Sequence, residues 1–100
     1  MRKYKVVVAD SVKNAIRKNF DYIVTAYDNE PAALAHTIDI YKKMKSLEIF
    51  PKSHSIYEGR SDREYRIVRV RKYQIFYRID DASDTVYVEK IYHSHQSVEL

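Results

Sequence analysis

The chain has 100 residues, no cysteine, a formal net charge of +4 and 45% hydrophobic residues. This length fits one domain, and the lack of cysteine excludes disulfides, thiol nucleophiles and cysteine-ligated zinc while fitting a reducing cytosol. A pI near 9.2 favours polyanionic partners such as nucleic acid or an acidic protein. No apolar run is long enough for a membrane span or a signal peptide, so we expect no membrane partner.

The first part of the chain predicts a strand and then a helix. The β-branched run Val6-Val7-Val8 indicates a half-buried strand over residues 3–9. Asp10 and Ser11 both suit the N-cap of a helix, and apolar residues then recur at helical spacing. We expect this helix to end near residues 28–29.

A second helix is predicted from Glu30-Pro31, because proline costs nothing in the first helical turn. Its apolar stripe runs to Leu47, with lysines near the C-terminal end, where cations suit the helix dipole. Phe50-Pro51 should end it, and residues 52–62, which include the only glycine, indicate a loop. The short connection between the helices favours an antiparallel hairpin.

Beyond this loop the apolar period falls to about two, which indicates strands. Three strands are predicted, over residues 66–71, 73–79 and 85–92, with a turn before the last. Val88 and Ile91 have opposite parity within the last strand, so a β-bulge is expected near Glu89-Lys90.

The predicted element order is therefore β-α-α-β-β-β in a single domain spanning residues 1–100. An antiparallel sheet that includes the N-terminal strand, with the helix hairpin packed on one face, buries these apolar stripes. The predicted fold class is α+β, with the opposite sheet face left for solvent or a partner.

Positive charge is concentrated in the predicted strands. Arg66, Arg69 and Arg71 on strands would hold guanidinium groups at fixed spacing, which suits binding phosphates or stabilising a phosphorane-like transition state. Further cations are predicted to contact phosphate: Lys52, Arg60, Lys72 and Arg78. The alternative is a solvated strand face whose arginines pair with acidic residues such as Glu64 and Glu89.

Aromatic and imidazole side chains add to this surface. Tyr73 starts one strand and Tyr92 ends another, so exposed rings there could stack on unpaired bases, whereas Tyr77 is expected in the core. His93 and His95 would share one side of a continuing strand and could transfer the protons that RNA cleavage by a 2′-hydroxyl requires. No third ligand has metal-site spacing and one glycine cannot make a Gly-rich loop, so neither metal nor cofactor is expected.

Residues 66–80, followed by 85–88 and 91–93, resemble the C-terminal half of the RelE/ParE superfamily of toxins from bacterial type II toxin–antitoxin modules. The early strand and the Pro31-Ala32-Ala33 start of the second helix are similar too. The resemblance implies a compact α+β toxin, neutralised by a small and often acidic antitoxin.

The resemblance also implies one of two activities. RelE-like members cut mRNA in the ribosomal A site without a metal, whereas ParE-like members inhibit DNA gyrase and are not known to be enzymes. We expect a cytoplasmic, ribosome-dependent mRNA endonuclease, with the ribosome and mRNA as partners. Gyrase inhibition is the alternative, and an inactive toxin that only binds its antitoxin is a third reading.

Catalytic residues follow from the resemblance by position. Arg69 lies where RelE-like nucleases carry a strand arginine near the scissile phosphate, and Arg66 matches a recurrent strand arginine. Tyr92-His93 resembles the terminal Tyr-His of YoeB-like nucleases, and Ser94-His95 resembles the close of YafQ-like nucleases, in which the histidine transfers a proton. The implied catalytic set is Arg69, Tyr92, His93 and His95. The tail departs from the common Arg-Arg-Asp ending, because Gln96 follows His95.

Overall fold

In the part of the chain that the structure describes, two helices and four strands follow one another as the sequence predicts. The computed structural model describes residues 2–59, 61–94 and 98. Its elements, in chain order, are β1 Lys5–Val8, α1 Asp10–Tyr27, α2 Glu30–Ser46, β2 Arg66–Val70, β3 Tyr73–Asp80 and β4 Thr85–His93. The α+β class and the order β-α-α-β-β-β are confirmed. Neither helix of the described residues is long and apolar enough to cross a membrane.

The strands form one sheet in the order β1-β4-β3-β2. β2–β3 and β3–β4 are antiparallel, as expected for hairpins, but β1 pairs with β4 in parallel. The sheet is therefore mixed, which corrects the prediction of an antiparallel sheet. After the two helices and the loop, β2 runs in the same direction as β1. β3 runs the opposite way, and β4 again runs in the direction of β1.

Both helices cover one face of the sheet, which we call the helix face. Ile16 and Ile40 of the helices pack with Ile75, Val86 and Val88 in the main core. Tyr77, predicted in the core, is fully buried there, and its hydroxyl donates a hydrogen bond to the Pro51 carbonyl at 2.6 Å. Burial raises the pKa of Tyr77 to about 12.

The helix ends differ in part from the prediction. Ala9, not Asp10 or Ser11, is the N-cap of α1, and no side chain caps that end. Asn29 caps α2, where its Oδ1 accepts a hydrogen bond from the Ala32 N–H at 3.0 Å. α2 ends at Ser46, before the proline, and turns carry the chain onward through residues 47–49.

The predicted bulge is confirmed. Phe76 of β3 lies opposite Lys90, whereas the next residue, Tyr77, lies opposite Val88, so Glu89 is the extra residue of β4. Without a bulge Val88 and Ile91 would point to opposite faces. The extra residue lets both side chains contact the helix-face core.

Candidate functional site

The sheet face turned away from the helices carries a row of polar side chains across three strands. Arg69 of β2 pairs with Gln74 of β3, which pairs in turn with Tyr92 of β4. Strand neighbours are about 4.8 Å apart, so the Cα atoms of Arg69 and Tyr92 are about 10 Å apart. We call this surface, with its row Arg69–Gln74–Tyr92, the open face.

Two cations of the open face are available to an anionic ligand. Arg69 is exposed and has no hydrogen-bond or ion-pair partner within residues 2–59, 61–94 and 98. Lys90 is also exposed, and it lies opposite Phe76 in the neighbouring row. A guanidinium that is not neutralised by a carboxylate can bind a phosphate through two N–H groups at once.

An aromatic cluster forms the floor of the open face. The Phe76 ring packs edge to face against Tyr57, Tyr65 and Tyr92, with centroid distances of 5.1, 6.5 and 5.7 Å. Ile67 packs in the same cluster. Edge-to-face packing restricts the Tyr92 ring, which leaves it half-buried at the end of the row. Tyr92 is thus a preformed platform and not a loose side chain.

The bulge residue Glu89 forms ion pairs with Arg78 and Arg63. Its carboxylate accepts hydrogen bonds from the Tyr65 hydroxyl at 2.7 Å and Arg78 Nε at 3.0 Å, and Arg63 lies at 3.5 Å. Burial alone would raise the pKa of Glu89, but these donors hold it below its usual value. The Arg78 guanidinium also lies 4.1 Å from the Tyr87 ring centroid. Arg78, a predicted phosphate ligand, is therefore already paired with a carboxylate.

The structure separates the adjacent residues Tyr92 and His93. Tyr92 lies on the open face, whereas His93 lies on the helix face, where its ring is 5.4 Å from that of Tyr73. Successive strand residues point to opposite faces, so this pair cannot act at one site without leaving the strand. The prediction that Tyr73 is an exposed stacking ring is wrong, because Tyr73 lies in the main core and is only 7% exposed.

The remaining predicted cations also lie elsewhere. Arg66 has the opposite parity to Arg69, and its Nη1 donates to the carbonyls of Lys52 and His54 at 3.2 and 2.7 Å. Lys52 pairs with Asp81 at 3.0 Å, and this hydrogen bond raises the pKa of Lys52.

Arg71 and Lys72 form the β2–β3 turn, so the expectation of Arg71 on a strand is wrong. The predicted residues Arg60 and His95 lie outside the described residues. Within the described parts of the chain no group of three or more metal-binding side chains occurs.

Sequence reasoning missed Gln74, Lys90, Phe76 and Glu89, which complete the open face. The parity signal that groups them was present, because Ile67, Arg69, Gln74 and Phe76 alternate with the core positions. The bulge hides the rest of the pattern, since it places Lys90 and Tyr92 on the same sheet face as their partners Phe76 and Gln74.

Known structures share this architecture. The chain is similar to a chain of the archaeal RelE–RelB complex from Pyrococcus horikoshii OT3, with a TM-score of 0.66 and 16% identity over 95% of this chain and 99% of that one. It is also similar to a chain of the toxin–antitoxin complex RelBE2 from Mycobacterium tuberculosis, with a TM-score of 0.54 and 21% identity over 91% of this chain and 98% of that one.

Sequence comparison supplies the family. No curated protein matches the chain at a significant level. A family model described as the ParE toxin of type II toxin–antitoxin system, parDE, matches residues 6–98. The chain therefore belongs to the ParE toxin family of type II toxin–antitoxin systems, within the RelE/ParE superfamily.

Proposed function

We propose that this toxin is a ribosome-dependent mRNA endonuclease whose RNA site is the open face. The observation that carries the proposal is the row Arg69–Gln74–Tyr92, in which an unpaired guanidinium and a fixed phenol ring face the same side. Both side chains are long enough to reach one phosphodiester group of a bound RNA strand. Lys90 adds positive charge beside them.

The arrangement suits cleavage by the neighbouring 2′-hydroxyl. In that reaction the 2′-oxygen bonds to phosphorus and the bond from phosphorus to the 5′-oxygen breaks, which leaves a 2′,3′-cyclic phosphate and a 5′-hydroxyl. Arg69 would stabilise the negative charge that grows on the phosphoryl oxygens. The Tyr92 phenol would donate a proton to the leaving 5′-oxygen, and His95 remains the predicted acceptor of the 2′-hydroxyl proton.

The partners follow from the family and from this site. We propose that a small acidic antitoxin neutralises the toxin in the cytoplasm. The similar solved structures are toxin–antitoxin complexes, which supports such a partner.

Cleavage of a defined mRNA on programmed ribosomes tests the proposal. The wild-type protein should cut the transcript in the A site, and Arg69→Ala should slow cleavage by roughly a hundredfold to a thousandfold, as for loss of one charge-stabilising donor. Arg17→Ala is the matched control, because Arg17 is an exposed arginine of α1 that bonds only its helix neighbour Asn14 among the described residues. An intact transcript with the wild-type protein would refute the endonuclease function.

Gyrase inhibition is the second candidate, because the matching family model is described as a ParE toxin. On this reading the basic open face would bind a protein surface and no RNA would be cut. A supercoiling assay with purified gyrase separates the two functions. Loss of supercoiling together with intact mRNA would establish the second function in place of the first.

A further inference from the structure

A cavity lies on the helix face, at the end of the sheet where β2 turns into β3. Its volume is about 520 Å³, and it is lined by α1, α2, the Arg71-Lys72 turn, Tyr73 and His93. Small-molecule sites in proteins typically measure about 300–1,000 Å³. Because Tyr73 and His93 face the helices, this cavity is separated from the open face by the sheet itself.

Two polar atoms beside this cavity have no hydrogen bond of good geometry. Asn19 Nδ2 of α1 and His36 Nδ1 of α2 are both buried and unpartnered among the described residues. Asn19 Nδ2 does lie close enough to the Tyr73 hydroxyl to lower its pKa, although burial outweighs this effect. Burying an unpaired polar group is unfavourable, so each of these atoms calls for a partner. Both residues line the cavity, so these two side chains are polar groups that a ligand there would meet.

The surroundings of His36 favour its neutral form. Burial lowers its pKa, the Arg71 guanidinium lowers it further, and Asp39 opposes them. A neutral imidazole offers one donor and one acceptor. Asn19 and His36 can therefore present a mixed donor and acceptor pattern, as needed to read the edge of a heterocycle.

Aromatic rings supply the stacking surfaces of the cavity. Tyr22 and Tyr27 pack edge to face at 6.0 Å, yet they are 60% and 67% exposed. Tyr73 packs edge to face against His36 at 6.3 Å and against His93 at 5.4 Å. Exposed aromatic rings beside a cavity are typical of binding sites, because they offer a large apolar area with little conformational entropy to lose.

The lining of the cavity carries two cations, one of which pairs with Asp39 beside it. Its lining includes Arg71 and Lys72 and, among the described residues, no carboxylate. Asp39 accepts a hydrogen bond from Arg71 Nε at 2.9 Å, which orients the guanidinium and leaves its terminal N–H groups for a ligand. Arg71 also has a φ of 52°, a left-handed backbone that a side chain adopts at some cost.

From these features we propose that the helix-face cavity binds a nucleoside monophosphate. The base stacks on the tyrosine rings, Asn19 and His36 bind its polar edge, and Arg71 with Lys72 binds the phosphate. The proposal does not depend on the RNA-cleaving activity, because the residues of the two sites lie on opposite faces of the sheet.

Isothermal titration calorimetry of the full chain tests the proposal with AMP, GMP, CMP and UMP as probes. At least one nucleotide should bind with a dissociation constant below about 1 mM, and its nucleoside and inorganic phosphate should each bind at least tenfold more weakly. Arg71→Asn removes the cation and tolerates the left-handed backbone, so it should fold and weaken binding of the nucleotide by at least tenfold. Asn19→Leu should weaken the nucleotide and the nucleoside alike.

Arg17→Ala is the matched arginine control and should leave nucleotide affinity unchanged, because Arg17 is exposed on α1, bonds Asn14 and does not line the cavity. Absence of binding for all four nucleotides at millimolar concentration would overturn the proposal. So would equal affinity in the wild type, Arg71→Asn and Asn19→Leu, and so would a loss of binding in Arg17→Ala. Cleavage on ribosomes, measured separately, tests only the open face.

Discussion

At the scale of single residues, Tyr77 joins the core to the exit from α2. Its buried hydroxyl donates to the Pro51 carbonyl at 2.6 Å, so Tyr77→Phe leaves that buried acceptor without a donor. We expect the free energy of unfolding to fall by about 1–3 kcal/mol. Urea denaturation monitored by circular dichroism measures the change. An unchanged midpoint would mean that this hydrogen bond contributes nothing net.

The same residue makes stability depend on alkaline pH. Its folded pKa of about 12 lies above the ordinary value of 10.0, so the folded state holds the phenol proton more tightly than the unfolded state. The contribution is complete below pH 10 and is lost as pH rises through 12, by roughly 2–3 kcal/mol in total. Tyr77→Phe is the control, since it should flatten this part of the stability profile.

A further residue-scale prediction concerns Tyr92 and His93. Because they lie on opposite faces, His93→Ala should leave the rate of mRNA cleavage within about threefold of wild type, whereas Tyr92→Phe should lower it by about 10²-fold or more. The cleavage assay on programmed ribosomes compares the two directly. The opposite ranking would mean that the last strand rearranges on the ribosome and brings His93 to the substrate.

The site residues show how far sequence could lead at this scale. The sequence predicted a basic, aromatic surface, but residue type alone could not separate Arg69, which is unpaired among the described residues, from Arg78, which binds Glu89. That distinction depends on contacts between residues far apart in sequence. The spacing of Arg66 and Arg69 did predict that they lie on opposite faces of the sheet, because strand residues three apart point to opposite faces.

At the scale of elements, the helix caps give a paired test. Asn29 caps α2 through the Ala32 N–H, whereas Ser11 makes no cap at α1. Asn29→Ala should therefore lower the free energy of unfolding by about 1 kcal/mol, and Ser11→Ala should change it little. Urea denaturation of both variants checks the contrast. Equal losses would indicate that Ser11 caps α1 after all.

The elements themselves were largely predictable. Apolar periodicity located every helix and strand, and the parity conflict between Val88 and Ile91 located the bulge at Glu89. The cap of α1 and the end of α2 were not predictable from local sequence. Tyr4 donates its N–H to the Glu48 carbonyl at 2.7 Å, so a contact between distant parts of the chain fixes the exit from α2.

At the scale of the whole molecule, the direction of β1 is what local patterns could not supply. A strand pattern is the same in either direction, and only hairpin turns fix the relative direction of neighbours. β1 reaches β4 through the rest of the fold, with Val7 opposite Tyr87 in parallel register. This arrangement leaves one sheet face under the helices, while on the other face Tyr57 and Tyr65 cover Phe76 and leave Arg69 and Lys90 exposed.

Disulfide trapping tests this topology, and the absence of native cysteine removes any background. Val7→Cys with Tyr87→Cys joins register partners and should form a disulfide readily, stabilising the protein by up to about 4 kcal/mol. Lys5→Cys with Lys90→Cys is the control, because these positions are roughly 16 Å apart in parallel register and would approach only if β1 were antiparallel. Thiol titration and mass spectrometry after oxidation count the bonds. A disulfide in the control pair alone would mean that β1 runs antiparallel to β4.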